Sequence, residues 1–361
     1  MMLIDNNNQY QEGFYLLRKQ LVGIIMTALV AVMLLSACSD NRVDQPQPET
    51  NAAADQGEQQ QTDSGNTEAA DTAPQSGDEA ATREFEHGKG VSVIPVKPQR
   101  IIAVQYTGAM LALGVKPVGA DNEWSVYPLL EEEWAGIEHV GDPWTGLNLE
   151  KIMSLEPDLI VTHVEATYDE LAKIAPTLWI PWLQYSPPEQ IALFGDILGK
   201  QEEAEQWQRQ FESKVEQTKA NVGSIIGPDE TVSIVNIRPQ NQFIYGNKAM
   251  GGYVIYELLG LNAPDIVRQE VLDQGLGQLE VSLELLPEYA GSDYIFLSVL
   301  ESGGGAERAQ EITGGSLWNG LPAAQSNKVV PLDWNTYFTT DPLSTMKQLD
   351  TFAELLNELY R

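Results

Sequence analysis

The chain has 361 residues, enough for two lobes with cores of their own, and a formal net charge of −31 from 52 acids against 21 bases. That balance excludes a nucleic-acid binder, whose phosphate contacts need clustered Lys and Arg, and it excludes adhesion to anionic lipid through surface charge. A single cysteine, Cys38, excludes a disulfide framework and thiol chemistry in the folded part.

Arg18 and Lys19 precede an apolar run from Leu21 to Leu35 that is too short for a spanning helix and ends in Leu35-Ser36-Ala37-Cys38. That ending resembles the bacterial lipobox, which implies a signal peptide over residues 1–37, cleavage before Cys38 and a lipid anchor on it. Residues 38–82 hold ten acids and one base, and from Ser39 to Thr82 the only large apolar residue is Val43. Such a segment buries too little surface to fold, so residues 38–84 are assigned to an acidic, disordered tether.

An N-terminal lobe is expected over 85–185. Phe85 to Val96 reads as a leading strand or hairpin, and Arg100 to Val104 as a strand buried on both faces. Gly108 to Leu113 is helical, Gly114 to Ala120 a turn and strand, and Asn148-Leu149-Glu150 the start of a helix that ends at Pro157. Asp158 to Thr162 and Thr177 to Trp182 are strands around a helix at Tyr168 to Ala175.

Residues 186–222 form a linking helix. Ser186, Pro187 and Glu189 make a capping box, Gly199 separates a short helix from a longer one, and Ala204, Trp207, Phe211, Val215 and Val222 form an apolar stripe ending at Gly223. About 22 residues at roughly 1.5 Å each give a rod about 33 Å long, suited to a strut between lobes.

The order then repeats over residues 223–361: strands at Thr231 to Ile237 and Phe243 to Tyr245, and a helix at Tyr253 to Leu259. Further on come a helix from Ser282-Leu283-Glu284, a strand at Tyr294 to Ser298, a helix at Leu317 to Ala324, a strand at Val329 to Leu332 and a C-terminal helix from Pro342 to Leu359. The halves echo each other: Leu111 to Val115 answers Glu257 to Leu261, and Asn148-Leu149-Glu150 answers Ser282-Leu283-Glu284. Strands alternating with helices predict an α/β fold of two doubly wound, Rossmann-like lobes with a ligand cleft between them.

No G-x-S-x-G elbow, H-E-x-x-H pair or dinucleotide fingerprint occurs, so no enzyme and no cofactor are expected. His163 and His139 with Glu165 offer imidazole and carboxylate to a bare metal ion, against the reading of His87, His139 and His163 as hydrogen-bonded loop or core residues. Aromatic residues cluster at strand ends: Tyr106, Trp124, Trp144, Trp182 and Tyr185 in the first half, and Tyr245, Trp334, Tyr337 and Phe338 in the second. They suit a ligand with a sizeable organic face. Arg238, ending an apolar strand, suits bidentate contact with a carboxylate, hydroxamate or catecholate oxygen; a surface salt bridge is the alternative.

Four stretches carry a further signal: Leu113-Gly-Val-Lys-Pro-Val-Gly119, Asn148-Leu-Glu-Lys-Ile152 with Glu156-Pro-Asp-Leu-Ile160, Ile174-Ala-Pro-Thr177 and Tyr289-Ala-Gly-Ser-Asp-Tyr-Ile295. Through them, over residues 85–361, the chain resembles the iron-siderophore substrate-binding lipoproteins of ABC transporters. The resemblance implies the class III periplasmic-binding-protein fold, two lobes joined by one long helix, and a monomer that hands a ferric siderophore to an importer. It implies that Glu150 and Glu284 dock on arginines of the membrane permease. Asp333 to Pro342 and the linking helix resemble hydroxamate binders most. Some of those carry Trp-x-Arg-Gly-Gly where this chain has Lys248-Ala249-Met250-Gly251-Gly252. The positive contact then falls to Arg238 or Lys248, with Met250 and His163 also expected at the ligand. With so few cations, a hydroxamate or mixed citrate-hydroxamate complex is favoured over a catecholate. Haem, a cobalamin, a bare metal ion, a hydrolase and an adhesion module are the rival readings.

Overall fold

Alternating Phe85, Val91, Val93 and Ile94 around the His87-Gly88-Lys89-Gly90 turn give a hairpin, β1 (Thr82–His87) with β2 (Gly90–Pro95), in antiparallel register. The computed structural model describes residues 81–121, 128–143, 145–182 and 184–360; the expected signal peptide, Cys38 and nearly all of the expected tether lie outside them. Because β1 begins at Thr82, residues 82–84 belong to the hairpin and not to the tether.

The first sheet is parallel throughout. β3 (Ile101–Ala103) pairs with β4 (Gly119–Ala120) on one side and β8 (Leu159–Thr162) on the other, with β5 (Glu138–His139) and β9 (Thr177–Trp179) at the edges. A small antiparallel pair, β6 (Gly141–Asp142) with β7 (Gly146–Leu147), precedes the helix of Glu150. Every residue of β3 and β8 is buried, as an unbroken apolar run requires when helices cover both faces. The strand expected from Thr177 to Trp182 stops at Trp179, where Pro181 cannot continue the ladder, and the helix expected from Tyr168 to Ala175 spans only Tyr168–Leu171.

The second sheet departs from expectation. Its order is β12 (Gln278–Val281), β11 (Gln242–Tyr245), β10 (Val232–Ile237), β13 (Tyr294–Val299), β14 (Val329–Leu332). β10, β13 and β14 are parallel, but β10–β11 and β11–β12 are antiparallel, so this lobe is mixed. Only the four residues Arg238 to Asn241 separate β10 from β11, and the Arg238 N–H donates to the Asn241 carbonyl at 2.9 Å, a hairpin closure. A parallel crossover needs a dozen residues or more.

Six helices position the rest: α1 (Thr107–Ala112), α2 (Leu149–Ser154), α3 (Pro187–Leu198), α4 (Gln201–Val222), α5 (Gly305–Gly314) and α6 (Pro342–Tyr360). The helix expected at Tyr253 to Leu259 is wound more widely, with i to i+5 bonds over Tyr253–Leu258, and the one expected from Ser282 begins only at Leu286. The helix expected from Leu317 to Ala324 is split in two around Gly320 and Leu321. No described helix is long and apolar enough to cross a membrane.

The linking segment is not one rod. At Ser186 the Glu189 carboxylate accepts from the backbone N–H at 2.8 Å and the hydroxyl at 2.7 Å, starting α3. Gly199 then adopts φ 64° and ends it. There the chain reverses: Gly195 lies so close to Ala204 that an added Cβ would sit 2.6 Å from its Cβ, and Gln208 reaches back to the Pro188 carbonyl at 3.4 Å. The pair is a helical hairpin, and α4 alone runs on toward the second lobe, burying Ala204, Trp207, Phe211, Thr218 and Val222. Trp207 stacks on Phe211 at 4.7 Å.

A second helix also spans the lobes. α6 packs along α4 and on α1. Lys347 of α6 donates to the Leu129 carbonyl and pairs with Glu133 at 2.6 Å, while Asp350 pairs with Lys214 of α4 at 2.6 Å. One apolar cluster runs through both lobes, from Ile101 and Leu159 through Phe194 and Phe211 to Phe296 and Phe352.

Candidate functional site

The strand end at Ile237 delivers Arg238 into a ring of polar and aromatic partners. Its Nε donates to Asn236 Oδ1 at 2.9 Å, and its Nη2 donates to the Tyr245 hydroxyl at 2.8 Å and to Gln278 Oε1 at 2.9 Å. The guanidinium carbon stands 4.2 Å from the Phe243 ring centre and 5.5 Å from that of Trp334. All of these partners are neutral. Among the described residues no carboxylate lies within 4 Å of Arg238, and Nη1 is left with no protein acceptor. The surface salt bridge weighed for Arg238 is therefore absent among the described residues. The hairpin register explains the arrangement, because Tyr245 of β11 pairs with Gln278 of β12 and places both side chains beside the cation.

Two loops frame this cation. Asp333 caps a short helix, Trp334–Tyr337, by accepting from the Thr336 N–H at 2.7 Å, and Trp334 stacks on Phe338 at 5.2 Å. The loop from Gly246 to Gly252 is bolted to it: the Gly251 N–H donates to the Tyr337 carbonyl at 2.8 Å and the Thr340 hydroxyl to the Lys248 carbonyl at 2.6 Å. Gly252 is required here, since a Cβ would meet the Gly246 carbonyl oxygen at 1.8 Å. Lys248 is exposed above this loop.

Met250 stands where an arginine was considered, and none of its surface is exposed. It packs in the core cluster, so the ligand contact expected of it does not hold here. Tyr337 is likewise a core residue, its hydroxyl 3.1 Å from Thr351 and pushed up to about 12 by burial. Tyr245 is buried as well and bears on the site through Arg238; burial raises its hydroxyl, and Arg238 acts against that.

On the first lobe, His163 follows β8 and Trp182 lies beyond β9, their rings 5.9 Å apart. Burial pushes the His163 imidazole down to about 4, leaving it neutral at physiological pH, and Trp182 keeps 47% of its surface exposed. Tyr106 is not a lining residue: it is buried, donates to the Ile180 carbonyl at 2.8 Å and packs on Phe194, tying α1 to α3. Trp124 and Trp144 lie outside the described residues.

The histidines are not brought together. His139 is exposed on edge strand β5, Glu165 pairs with Lys89 at 2.5 Å, and His87 Nδ1 accepts from the Trp179 and Lys89 N–H groups. Among the described residues no group of three or more His, Cys, Asp or Glu is placed to hold a metal ion. Glu150, in the first turn of α2, and Glu284, in the turn before the Leu286 helix, are both exposed. Backbone and Ser282 hydrogen bonds hold the Glu284 carboxyl below its ordinary range.

Asn236, Phe243 and Gln278, the neighbours that hold Arg238, were not anticipated. Gln278 was out of reach because no strand was expected at Gln278–Val281.

A model of the periplasmic binding protein family matches residues 101–336. The chain is 34% identical over 278 residues to the iron(3+)-hydroxamate-binding protein YxeB of Bacillus subtilis, covering 76% of this chain and 85% of that one. Among solved structures it resembles a FhuD fold-family periplasmic binding protein component of a ferrichrome ABC transporter from Bacillus subtilis, with TM-score 0.68 and 31% identity over 76% of this chain and all of that one. It also resembles Staphylococcus aureus SirA complexed with staphyloferrin B, with TM-score 0.66 and 30% identity over 76% of this chain and 99% of that one.

Proposed function

Since the chain belongs to the periplasmic binding protein family, we propose that it is an extracytoplasmic receptor that captures a ferric siderophore, of hydroxamate or mixed citrate-hydroxamate type, and delivers it to an ABC importer. The observation that carries this reading is Arg238. A guanidinium held by three neutral acceptors and two ring faces, with one nitrogen left to donate, is built to receive an anionic or strongly polar oxygen. Trp334 and Phe338 beside it, and Trp182 on the other lobe, backed by the buried His163 ring, offer flat apolar surface to the organic part of the ligand. So few cations, Arg238 with Lys248 on the loop beside it, match a neutral or weakly charged complex. A ferric catecholate, carrying about three negative charges, would need several cations at one site.

In this reading Cys38 carries the lipid that holds the receptor, as a monomer, at the outer face of the cytoplasmic membrane, with residues 38–81 as its tether. Glu150 and Glu284 meet the permease. The receptor performs no reaction of its own and needs no cofactor; the iron complex is its cargo.

The test is a titration followed by tryptophan fluorescence, with ferrioxamine B, ferrichrome, ferric citrate, ferric enterobactin, haem and cobalamin as separate arms. A hydroxamate or citrate complex is expected to bind at micromolar concentration or below. Arg238→Ala should weaken it by about ten- to a hundredfold, the loss of one charge-assisted contact. Binding of haem or cobalamin alone, or an Arg238→Ala protein that binds as tightly as the unsubstituted one, would sink the proposal.

A further inference from the structure

Arg83, Arg209 and Arg268 each pair with a carboxylate on this acidic chain. Arg238 does not: among the described residues it forms no ion pair. Its Nε goes to Asn236 and its Nη2 to Tyr245 and Gln278, all neutral oxygens, which fixes the guanidinium plane and leaves the hydrogens of Nη1 over. The acids nearest in sequence to Gln278 and Trp334 are committed elsewhere. Glu280, on the same face of β12 as Gln278, accepts from Asn241 Nδ2 at 3.3 Å, and Asp333 accepts from the Thr336 N–H at 2.7 Å.

Of the three holders, Gln278 is the one that can change without disturbing the core. Asn236 and Tyr245 are buried, and the Asn236 amide also donates to the Ser298 carbonyl at 3.2 Å. Gln278 opens the edge strand β12, is half-buried, and has no protein acceptor for its amide NH2 among the described residues. A glutamate there has the same length and would put a carboxylate oxygen on Nη2 where the amide oxygen now lies, 2.9 Å away. It would close a charge-assisted pair, cancel the cation and exchange a donor for an acceptor. The amide therefore holds the guanidinium in place without spending its charge. In a partly desolvated site that charge acts on a ligand more strongly than it would at an open surface.

We propose that Gln278 is the specificity-determining residue of this site: by holding Arg238 with an amide and not a carboxylate, it makes the receptor prefer a ferric complex that carries an uncoordinated carboxylate over an otherwise identical neutral or cationic one. The inference rests on the receptor reading above and adds what sets its preference for ligand charge. Lys248 supports the same preference, since its side chain lies against Gly277, the neighbour of Gln278. Hydroxamate anions balance the charge of Fe3+, so the pendant groups of such a complex decide what these two cations meet.

The test compares complexes with one iron core and different tails: ferrioxamine B, which ends in an ammonium, its N-acetyl derivative, which is neutral there, and its N-succinyl derivative, which ends in a carboxylate. Affinities of the unsubstituted chain, Gln278→Glu and Gln278→Leu are read by tryptophan fluorescence. The unsubstituted protein is expected to bind the carboxylate form about tenfold more tightly than the acetyl form, and the ammonium form most weakly. Gln278→Glu should invert that order, losing about tenfold for the carboxylate form and gaining affinity for the ammonium form. Gln278→Leu removes the acceptor but leaves the charge, so it should weaken every form alike and keep the order. An unchanged order in Gln278→Glu, or an equal loss in all its arms, would overturn the inference and leave the receptor reading standing. An unsubstituted protein that binds no ferric complex at all fails the receptor reading itself, before the variants are compared.

Discussion

Gly108→Ala tests whether α6 is clamped to the first lobe. Gly108 sits inside α1, where alanine ordinarily stabilises a helix by about 1 kcal/mol. Here the new Cβ would lie 1.9 Å from Asp341 Oδ1, 2.4 Å from its Cγ and 2.9 Å from its Cβ. Turning the Asp341 side chain away does not clear the last contact, and it sacrifices the bond from the Ser344 N–H to Oδ1, 3.0 Å long, that starts α6. Losing such a cap costs about 1 kcal/mol and overpacking about 1–3 kcal/mol, so after the propensity gain the substitution should destabilise by about 1–3 kcal/mol. The sign is therefore diagnostic. Urea denaturation of Gly108→Ala, Asp341→Ala and the double variant reads it, and the double should cost at least about 1 kcal/mol less than the sum, because shortening Asp341 removes two of the three clashes. A stabilised Gly108→Ala protein, or strictly additive effects, would refute the clamp.

Two further outcomes follow from the packing and the buried imidazoles. The folded protein holds His163 at about 4 against an ordinary 6.5, so the unfolded chain takes up the proton first and stability falls as pH drops from 6.5 toward 4, by about 3 kcal/mol in all. Burial lowers His87 as well and adds in the same direction, whereas the Glu133 and Glu230 carboxyls, held down by their lysine partners, begin to lose their own contribution only as pH falls through about 4.5. Denaturation midpoints across pH 7 to 4.5 should slope down, and His163→Gln should flatten the slope; an unchanged slope in that variant would rule His163 out as its source. Trp207→Ala removes a buried ring stacked on Phe211 at the middle of α4 and should destabilise by about 3–5 kcal/mol in calorimetry, and a loss under 1 kcal/mol would mean that α4 does not carry the inter-lobe core.

What was legible in the sequence was what periodicity and capping encode. The runs at Ile101–Ala103 and Leu159–Thr162 are apolar at every position because both faces are covered, and the Ser186 box and the Gly199 break come from local chemistry alone. The direction of β11 is not written in its apolar residues, which suit either pairing. The four-residue gap after Ile237 held that signal, and alternation of strands and helices elsewhere masked it. β12 is half exposed with only Leu279 and Val281 apolar, and α5 is bracketed by glycines, so neither stood out. At the site, Arg238 was visible as a cation closing an apolar strand. Its holders come from β10, β11 and β12 and meet only through the mixed register. Tyr337 was singled out as a strand-end aromatic and Met250 by its place in the stretch that answers the family's Trp-x-Arg-Gly-Gly, and neither position says whether the side chain turns toward the cleft or the core.

The second brace changes what lobe motion can mean in this molecule. A single linking helix would let the lobes pivot about its axis. Here α4 and α6 cross together, joined by the Lys214–Asp350 pair, and α6 is pinned to the first lobe at Gly108 and at Glu133. Rotation about either axis would have to shear one apolar cluster that runs through both lobes, and close-packed cores resist such shear. The same α6 holds the segment that carries Trp334 and Phe338, since Gln348 donates to the carbonyls of Thr336 at 2.8 Å and Thr339 at 2.9 Å. In the proposed site, a ligand settling against Trp334 and Phe338 would therefore push on the element that braces the lobes. The displacement that the two lobes can make relative to each other is then small.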